Sequence, residues 1–261
     1  MSEAEAVLLR ADRGGVAWLT LNRPSARNAL SLALMERLTG ALEEIAGDVE
    51  TKVVVIAGAG PAFCAGHDLR EVRSNPGRAF IEETFAACSR LMLAITRLPK
   101  PVIARVHGVA TAAGCQLVAT CDLAVAAETA RLATPGVNIG LFCSTPMVAL
   151  SRAVGRKTAM EMLLTGDLIP AARAREIGLV NRVVPEAELD DAVAALAGQI
   201  AGKSPLTLAI GKEAFYRQSE MGLEEAYRYA SEVMVRNMMA RDAAEGIDAF
   251  LAKRPPVWTG A

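Results

Sequence analysis

The chain has 261 residues, of which 52% are apolar, and a formal net charge of −1. This length and apolar content are enough for one well-buried domain, or for one domain with an appendage. The near-neutral charge and the lack of a Lys/Arg run exclude an electrostatic footprint for nucleic-acid binding. No apolar run approaches the roughly 18 residues of a membrane span, and MSEAEAVLLRADRGG has no apolar signal core. We therefore expect a cytoplasmic protein with neither nucleic-acid nor membrane partners.

In the first half of the chain, strand and helix patterns alternate. In chain order they predict a strand in GVAWLTLNRP, a helix over 31–45, a strand in KVVVIAG, a helix over 80–98, a strand in PVIARVHG, a helix over 112–120 and a strand in DLAVAA. Phe85, Cys88, Met92 and Ile95 are expected on the buried face of the second helix. This alternation predicts an α/β domain with a largely parallel sheet.

The second half is mostly helical. Helices are predicted over 147–165, 171–176, 186–201, 206–218, 223–239 and 243–252, with one short strand in LVNRVV. We divide the chain into a core over 1–199 and a C-terminal helical region over 200–261. The C-terminal helices are too few for a core of their own, so they are expected to pack on the main domain or on another subunit.

Motifs for several common chemistries are missing. The sequence has two histidines, His67 and His107, without HExxH spacing, and its five cysteines lack CxxC spacing. No GxSxG elbow, P-loop or GxGxxG follows a predicted strand. These observations argue against a metal site, a disulfide framework and most nucleotide-dependent or serine-hydrolase functions. Cys88, Cys115 and Cys121 lie in apolar runs and are expected to be buried, reduced thiols.

Two turns after predicted strands are candidates for a ligand site, namely FCAGHDL (63–69) and VATAAGCQL (109–117). Ligands bind at the carboxyl ends of parallel strands, and small residues let a ligand touch the backbone. Free N–H groups at a helix start carry partial positive charge, and two that converge form an oxyanion hole. The alternative is that the small residues only permit tight turns and close packing.

The run KPVIARVHGVATAAGCQLVATCDLAVA resembles the crotonase (enoyl-CoA hydratase/isomerase) superfamily, together with AFCAGHDL before it and TGDLIPAARAREIGLVNRVVP after it. The resemblance implies a crotonase fold, a repeated ββα spiral core with a C-terminal helical trimerisation region. It implies an enzyme that acts on acyl-CoA thioesters, with CoA as part of the substrate and no separate cofactor. A homotrimer or a homohexamer built as a dimer of trimers is expected, in the context of fatty acid metabolism.

The resemblance also assigns roles to residues. The thioester oxygen would be held by the backbone N–H groups of His67 and Ala113, and an enolate formed there would be stabilised. Ala113 replaces the usual glycine, which is tolerable if its φ is helical. The positions that match CoA contacts are Arg23, Ala26, Arg27, Ala65, Asp68, Leu69, Phe250 and Lys253.

The chain departs from the hydratases of this superfamily at both catalytic glutamates. Gln116 and Gly136 stand in their places. An amide cannot act as a base near neutral pH and glycine has no side chain, which argues against hydration by two glutamates. The runs GVATAAGCQL and ATPGVNIGLFCSTP are typical of a subgroup that also lacks both glutamates.

Other polar residues leave several functions open. Ser144 falls at an alternative acid/base position of the superfamily, and it equally suits the N-cap of a helix beginning near Pro146. His67 and Asn138 resemble a decarboxylase branch, so a decarboxylase or thioester hydrolase using His67, Asn138 and Gln116 is one alternative. A non-catalytic acyl-CoA-binding protein is another. Asp68 is expected to cap the helix after its turn, and His107 to cap a turn after its strand.

Overall fold

A computed structural model describes residues 6–261 of the chain. Its strands are β1 (Leu8–Arg13), β2 (Val16–Leu21), β3 (Val53–Gly58), β4 (Val102–Val106), β5 (Val109–Thr111), β6 (Leu123–Ala127), β7 (Arg131–Ala133), β8 (Ile169–Pro170) and β9 (Arg182–Val184). Its helices are α1 (Leu32–Gly47), α2 (Leu69–Ser74), α3 (Arg78–Arg97), α4 (Ala113–Thr120), α5 (Ser144–Ala153), α6 (Arg156–Thr165), α7 (Ala171–Glu176), α8 (Leu189–Ala201), α9 (Pro205–Gln218), α10 (Leu223–Met238) and α11 (Arg241–Leu251). Short 3-10 helices span Pro24–Ala26, Pro135–Ile139 and Glu186–Glu188.

The strands form two sheets. The larger has the order β1-β2-β3-β4-β6-β9, with β1 antiparallel to β2 and every other neighbouring pair parallel. The smaller has the order β5-β7-β8, in which β5 and β7 are parallel and β8 is antiparallel to β7. The largely parallel α/β architecture predicted from the sequence is confirmed.

Helices cover both faces of the larger sheet. On one face, Ala17, Leu19 and Ile56 pack in a core with side chains of α1 and α3. On the other face, Val53 and Val55 pack against α8. Strands buried on both sides need continuous apolar sequence, which explains the run KVVVIAG.

Several elements differ from the sequence predictions. The strand β1 was not predicted because almost all of its side chains are exposed, and β5, β7 and β8 are too short to show periodicity. The helix predicted over 147–165 is two helices, α5 and α6, because Gly155 takes an extended conformation between them. Phe85 is partly exposed rather than buried, whereas Cys88, Met92 and Ile95 are buried as predicted. All five cysteines are free and buried, which confirms the prediction for Cys88, Cys115 and Cys121.

The C-terminal helices are joined to the main domain by a buried ion pair. The Lys212 ammonium in α9 donates to Asp122 Oδ2 at 2.7 Å and to the carbonyls of Ile95 and Lys100 at 2.8 and 2.9 Å. Tyr216 also donates to Asp122, at 2.9 Å. The region therefore packs on the main domain of its own chain, one of the two arrangements expected.

Within residues 6–261 no single helix is long and apolar enough to cross a membrane. The pair Glu186–Ala201 and Pro205–Gln218 passes the test jointly by length and composition, with a bend of 102° between its two helices.

Candidate active site

The first predicted turn presents the backbone N–H of His67. Gly66, with φ of +97°, accepts a hydrogen bond at its carbonyl from Leu30 N at 2.7 Å, and Asp68 N donates to Leu30 O at 3.1 Å. The carbonyl and the following N–H of a trans peptide point in opposite directions. The His67 N–H therefore points away from Leu30, and it meets no acceptor among residues 6–261.

The second turn presents the N–H of Ala113. This residue begins α4, and the left-handed φ of +50° falls on Ala112 instead, so the expectation that Ala113 is helical is confirmed. Ala112 O accepts from Gln116 N at 3.0 Å within the helix, which directs the Ala113 N–H out of the helix start. In the described part of the chain this N–H also lacks an acceptor, as is usual for the first turn of a helix.

The two turns touch. Cys64 N donates to Val109 O at 3.1 Å, and Thr111 N donates to Cys64 O at 3.0 Å. A Cβ on Gly66 would lie 2.9 Å from the Ala112 Cβ and 3.4 Å from the Ala113 nitrogen. A Cβ on Gly114 would overlap the carbonyl of Cys64. The two free N–H groups thus lie side by side, and their backbone is fixed by contacts that only glycine permits.

The His67 ring lies in an apolar environment. Its centroid is 5.2 Å from that of Phe85 in an edge-on arrangement, and both ring nitrogens are buried without a partner in residues 6–261. Burial lowers the pKa of His67 to about 4, so the imidazole is neutral near pH 7.

Gln116 is buried against α3, the helix that carries Phe85. It is 5% exposed, and its Oε1 accepts a weak hydrogen bond from the Cys88 thiol at 3.7 Å. Phe85 and Cys88 are three residues apart on α3 and so share one face of that helix. The His67 ring and the Gln116 amide therefore contact residues one helical turn apart on α3.

Residue 136, the position of the second hydratase glutamate, is tightly enclosed by its own loop. A Cβ on Gly136 would lie 2.5 Å from Leu141 O and 2.9 Å from the Cys143 sulfur. Leu141 N also donates to Gly136 O at 2.9 Å, which folds this loop onto itself. The loop leaves no space for a side chain at residue 136.

Two further candidates, Ser144 and Asn138, lie in or next to this loop. Ser144 is exposed and is the first residue of α5, so of the two roles considered for it the N-cap is wrong, because Cys143 holds that position. Its role as an acid/base group stays a prediction. The Ser144 hydroxyl donates to Phe142 O at 3.4 Å. Asn138 is exposed, and its amide nitrogen lies 3.1 Å from where a Cβ of Gly166 would be, after α6.

Asp68 and Arg23 form an ion pair at the His67 turn. Arg23 Nη2 lies 2.8 Å from Asp68 Oδ2, and Arg23 Nη1 donates to Ala29 O at 2.6 Å. Asp68 Oδ1 accepts from the N–H groups of Arg70 and Glu71, which confirms that it caps α2. Burial opposes ionisation, but these hydrogen bonds hold the pKa of Asp68 below its ordinary value.

The other predicted CoA contacts fall in two places. Arg27 O accepts from Ala65 N at 3.0 Å, so the first loop, with Ala26 and Arg27, lies against the His67 turn. Leu69 is exposed next to it. Phe250 and Lys253 lie at the end of α11, where Phe250 is exposed and Lys253 has a φ of +54°.

Three further polar residues are buried, namely His107, Asn28 and Thr134. The His107 ring binds the turn after β3 and not, as predicted, a turn after its own strand β4. Arg105 donates to its Nδ1 at 2.9 Å, so Nε2 carries the proton donated to Gly60 O at 2.8 Å. Asn28, not predicted, is fully buried and donates to the carbonyls of Ala59 and Ala62. Thr134, also not predicted, is buried beside the Ala113 turn. The sequence signal for Asn28 was a polar residue next to an apolar run.

The side chains that bind metal ions in proteins do not cluster in the described part of the chain. No group of three or more His, Cys, Asp or Glu residues there could hold a metal ion.

Known proteins share this fold and much of this sequence. The family model described as enoyl-CoA hydratase/isomerase matches residues 11–261. A crystal structure of an enoyl-CoA hydratase from Mycobacterium smegmatis is 55% identical, with a TM-score of 0.95 over 97% of this chain and 99% of that one. The crystal structure of human enoyl-CoA hydratase domain-containing protein 3 is 47% identical, with a TM-score of 0.94 over 97% and 100%. The rat protein of the same name is 48% identical over 94% of this chain and 82% of its own length.

The chain belongs to the enoyl-CoA hydratase/isomerase family, and its fold is the crotonase fold. Its relatives place it among the enzymes of the crotonase superfamily, which act on acyl-CoA substrates. The similarity to rat and human enoyl-CoA hydratase domain-containing protein 3 confirms the subgroup expected from the runs GVATAAGCQL and ATPGVNIGLFCSTP. The expectation of a cytoplasmic protein is wrong by the same comparison, because the rat and human relatives are both described as mitochondrial.

Proposed function

We propose that the protein binds an acyl-CoA thioester with its carbonyl oxygen between the N–H groups of His67 and Ala113. The observation that carries this proposal is that both N–H groups lack acceptors, lie side by side and are fixed in direction by neighbouring hydrogen bonds. Donors oriented in advance stabilise the negative charge of an enolate without reorganising during the reaction. CoA is then part of the substrate, and no separate cofactor takes part.

The reaction proceeds without the two-glutamate mechanism of hydration. Gln116 supplies an amide, and Gly136 has no room for a side chain. The neutral His67 imidazole belongs to the same residue as one of the two proposed donors. A role in fatty acid metabolism is proposed with the family resemblance as its support.

The first test is a panel of acyl-CoA thioesters with direct detection of products. Crotonyl-CoA, methylmalonyl-CoA and butyryl-CoA report hydration, decarboxylation and thioester hydrolysis, respectively. We expect binding of all three and negligible hydration of crotonyl-CoA. Efficient hydration would contradict the argument from the missing carboxylates, and a failure to bind any thioester would contradict the proposal itself.

A second candidate, decarboxylation or thioester hydrolysis, is favoured by the unpartnered His67 ring. A neutral imidazole N–H beside the oxygen site could orient a leaving carboxylate or a water molecule. Gln116, which also contacts α3, could contribute an amide N–H. His67→Phe keeps the contact with Phe85 and removes both nitrogens, so it should abolish product from methylmalonyl-CoA if this candidate is right. Asn138→Ala tests the third residue of this candidate: an unchanged product rate would remove Asn138, whose side chain lies beside Gly166, from the site.

For recognition of the CoA moiety, we propose Ala26, Arg27, Ala65 and Leu69 around the first loop, with Phe250 and Lys253 from the end of α11. Arg23 and Asp68 contribute by joining the first loop to the His67 turn, since their charges already pair with each other.

We propose a homotrimer or a dimer of trimers. Its support is that α10 contains no buried residue in the single chain and exposes apolar side chains including Tyr227, Val235 and Met238. Light scattering coupled to gel filtration measures the mass, and a monomer would contradict this assembly.

A further inference from the structure

Thr134 lies at the end of β7, directly beside the Ala113 turn. Strand register pairs Thr111 with Ala133, and Ala112 N donates to Ala133 O at 2.9 Å. Thr134 is the next residue along and so lies opposite Ala112, at the usual spacing of about 5 Å between paired strands. Its position places it next to one of the two free N–H groups.

The Thr134 hydroxyl has no internal partner. Thr134 is 1% exposed, and its Oγ1 makes no hydrogen bond with residues 6–261. It occupies the N-cap of the 3-10 helix Pro135–Ile139, where a threonine ordinarily accepts from a backbone N–H, but it makes no cap bond. An unpaired buried hydroxyl destabilises the folded chain. The presence of one here indicates a partner from outside the chain.

Two of the other unpaired side-chain atoms belong to His67, the residue that forms the first turn. Four buried side-chain atoms lack a partner in the described residues, and three of them belong to Thr134 and the His67 ring. The fourth, the Tyr229 hydroxyl, lies in α10. Thr134 adjoins the Ala113 turn and His67 forms the other turn, so both unpaired groups border the proposed oxygen site. This placement favours a ligand over a packing defect.

The groups offered to that ligand are uncharged. Thr134 carries a hydroxyl, and burial holds the pKa of His67 at about 4, so its ring is neutral near pH 7. The ion pair of Arg23 with Asp68 on the same turn is internally neutral. A carboxylate in this position would lack a compensating cation, whereas a hydroxyl or keto oxygen would need none.

We propose that Thr134, together with the His67 ring, binds an uncharged oxygen on the acyl chain, and that the protein selects hydroxy- or ketoacyl-CoA thioesters over plain aliphatic ones. This inference rests on the proposed function, because it takes the acyl group to lie between the two turns. It makes Thr134 a residue that determines specificity.

Calorimetric titration with butyryl-CoA, 3-hydroxybutyryl-CoA and acetoacetyl-CoA tests the inference, with products checked after each titration. We expect the wild type to bind an oxygenated thioester about tenfold more tightly than butyryl-CoA, the usual scale of one buried hydrogen bond. Thr134→Val should lose this preference and still bind butyryl-CoA normally. Thr134→Ser should keep the preference.

Thr51→Val is the matched control. Thr51 is also buried, but its hydroxyl donates to Asp48 Oδ2 at 2.7 Å, at the amino end of β3 and so the opposite end of the sheet. The Thr51→Val variant should have a lower melting temperature and an unchanged preference for oxygenated thioesters. The Thr134→Val variant should keep the wild-type melting temperature. A loss of melting temperature in Thr134→Val as large as that in Thr51→Val would show that the hydroxyl already has a partner, and would overturn the inference.

The remaining outcomes separate the two proposals. Equal binding of the three thioesters by the wild type, or an unchanged preference in Thr134→Val, would overturn the inference and leave the proposed function intact. Tighter binding of malonyl-CoA than of 3-hydroxybutyryl-CoA would also overturn it, in favour of a charged substituent. Failure to bind any thioester would overturn the proposed function, and the inference with it.

Discussion

The N–H of Leu30 donates to the carbonyl of Gly66 at 2.7 Å, and this bond sets the direction of the next N–H along the chain, that of His67. Leu30 is fully buried in the apolar core just before α1. The core therefore orients one donor of the proposed oxygen site before any ligand arrives. Such preorganisation is what makes backbone N–H groups effective toward developing negative charge.

Gly66→Ala is expected to disable the site. The new Cβ would lie 2.9 Å from the Ala112 Cβ and 3.0 Å from Thr111 O, and the φ of +97° is strained for alanine. Moving either turn separates the two N–H groups, so turnover of any thioester that the wild type processes should fall by about 10²- to 10³-fold. Gly14→Ala, with a φ of +57° but open space around it, controls for strain alone. Wild-type turnover in Gly66→Ala would exclude this pair of turns.

His67 should make the folded state less stable in mild acid. Burial lowers its pKa to about 4 from the ordinary value of 6.5, so below about pH 6.5 the unfolded chain binds a proton that the folded chain does not bind. Stability is thus lost as the pH falls from about 6.5 to about 4, by an amount on the order of 3 kcal/mol at about 1.4 kcal/mol per pKa unit. Urea unfolding across this pH range should show a smaller loss of unfolding free energy per pH unit in His67→Phe than in wild type. An identical pH dependence in the two proteins would mean that His67 is not a buried neutral group.

Gly136→Ala should destabilise the protein. Its Cβ would lie 2.5 Å from Leu141 O, and overpacking of this kind costs roughly 1–3 kcal/mol. Gly155→Ala is the control, because a Cβ there meets no atom within 4 Å. Thermal unfolding compares the two variants. Equal melting temperatures would show that the loop over 136–143 yields easily, and that a glutamate at residue 136 could be accommodated.

Lys212→Met should weaken the attachment of the C-terminal helices. It removes the cation that pairs with Asp122 and leaves a carboxylate and two carbonyls short of a donor. Breaking one side of a buried ion pair costs about 3–5 kcal/mol. Chemical unfolding should show this loss, whereas Lys52→Met, at an exposed lysine, should change stability little. A loss below about 1 kcal/mol would mean that the pair contributes no more than a surface salt bridge.

Much of the fold could be predicted from periodicity because the longer elements have one clear apolar face or are buried on both. Helix α1 and strands β2 to β4 follow directly from such patterns. Strand β1 could not be predicted, since its backbone pairing with β2 holds it in place and its side chains are mostly exposed. Phe85 was misplaced because it lies at the edge of the buried face of α3, where it contacts His67 instead of the core.

The backbone turns of the candidate site could be predicted from the sequence, whereas the surroundings and partners of its side chains could not. Small residues after two strands indicated the turns of His67 and Ala113. The space around Gly136 and the unpaired hydroxyl of Thr134 depend on how the loop over 134–143 folds back, which no local pattern specifies. Whether Arg23 is free or paired likewise depends on Asp68, which is distant in sequence.

The most direct test of the central claim is difference infrared spectroscopy of butyryl-CoA labelled with carbon-13 at the thioester carbonyl. If the N–H groups of His67 and Ala113 hold that oxygen, the carbonyl stretch should shift to lower wavenumber on binding to the wild type, because two hydrogen bonds polarise the C=O bond. The shift should persist in Gly14→Ala and disappear in Gly66→Ala. A bound thioester whose carbonyl stretch stays at its value in water would contradict the account.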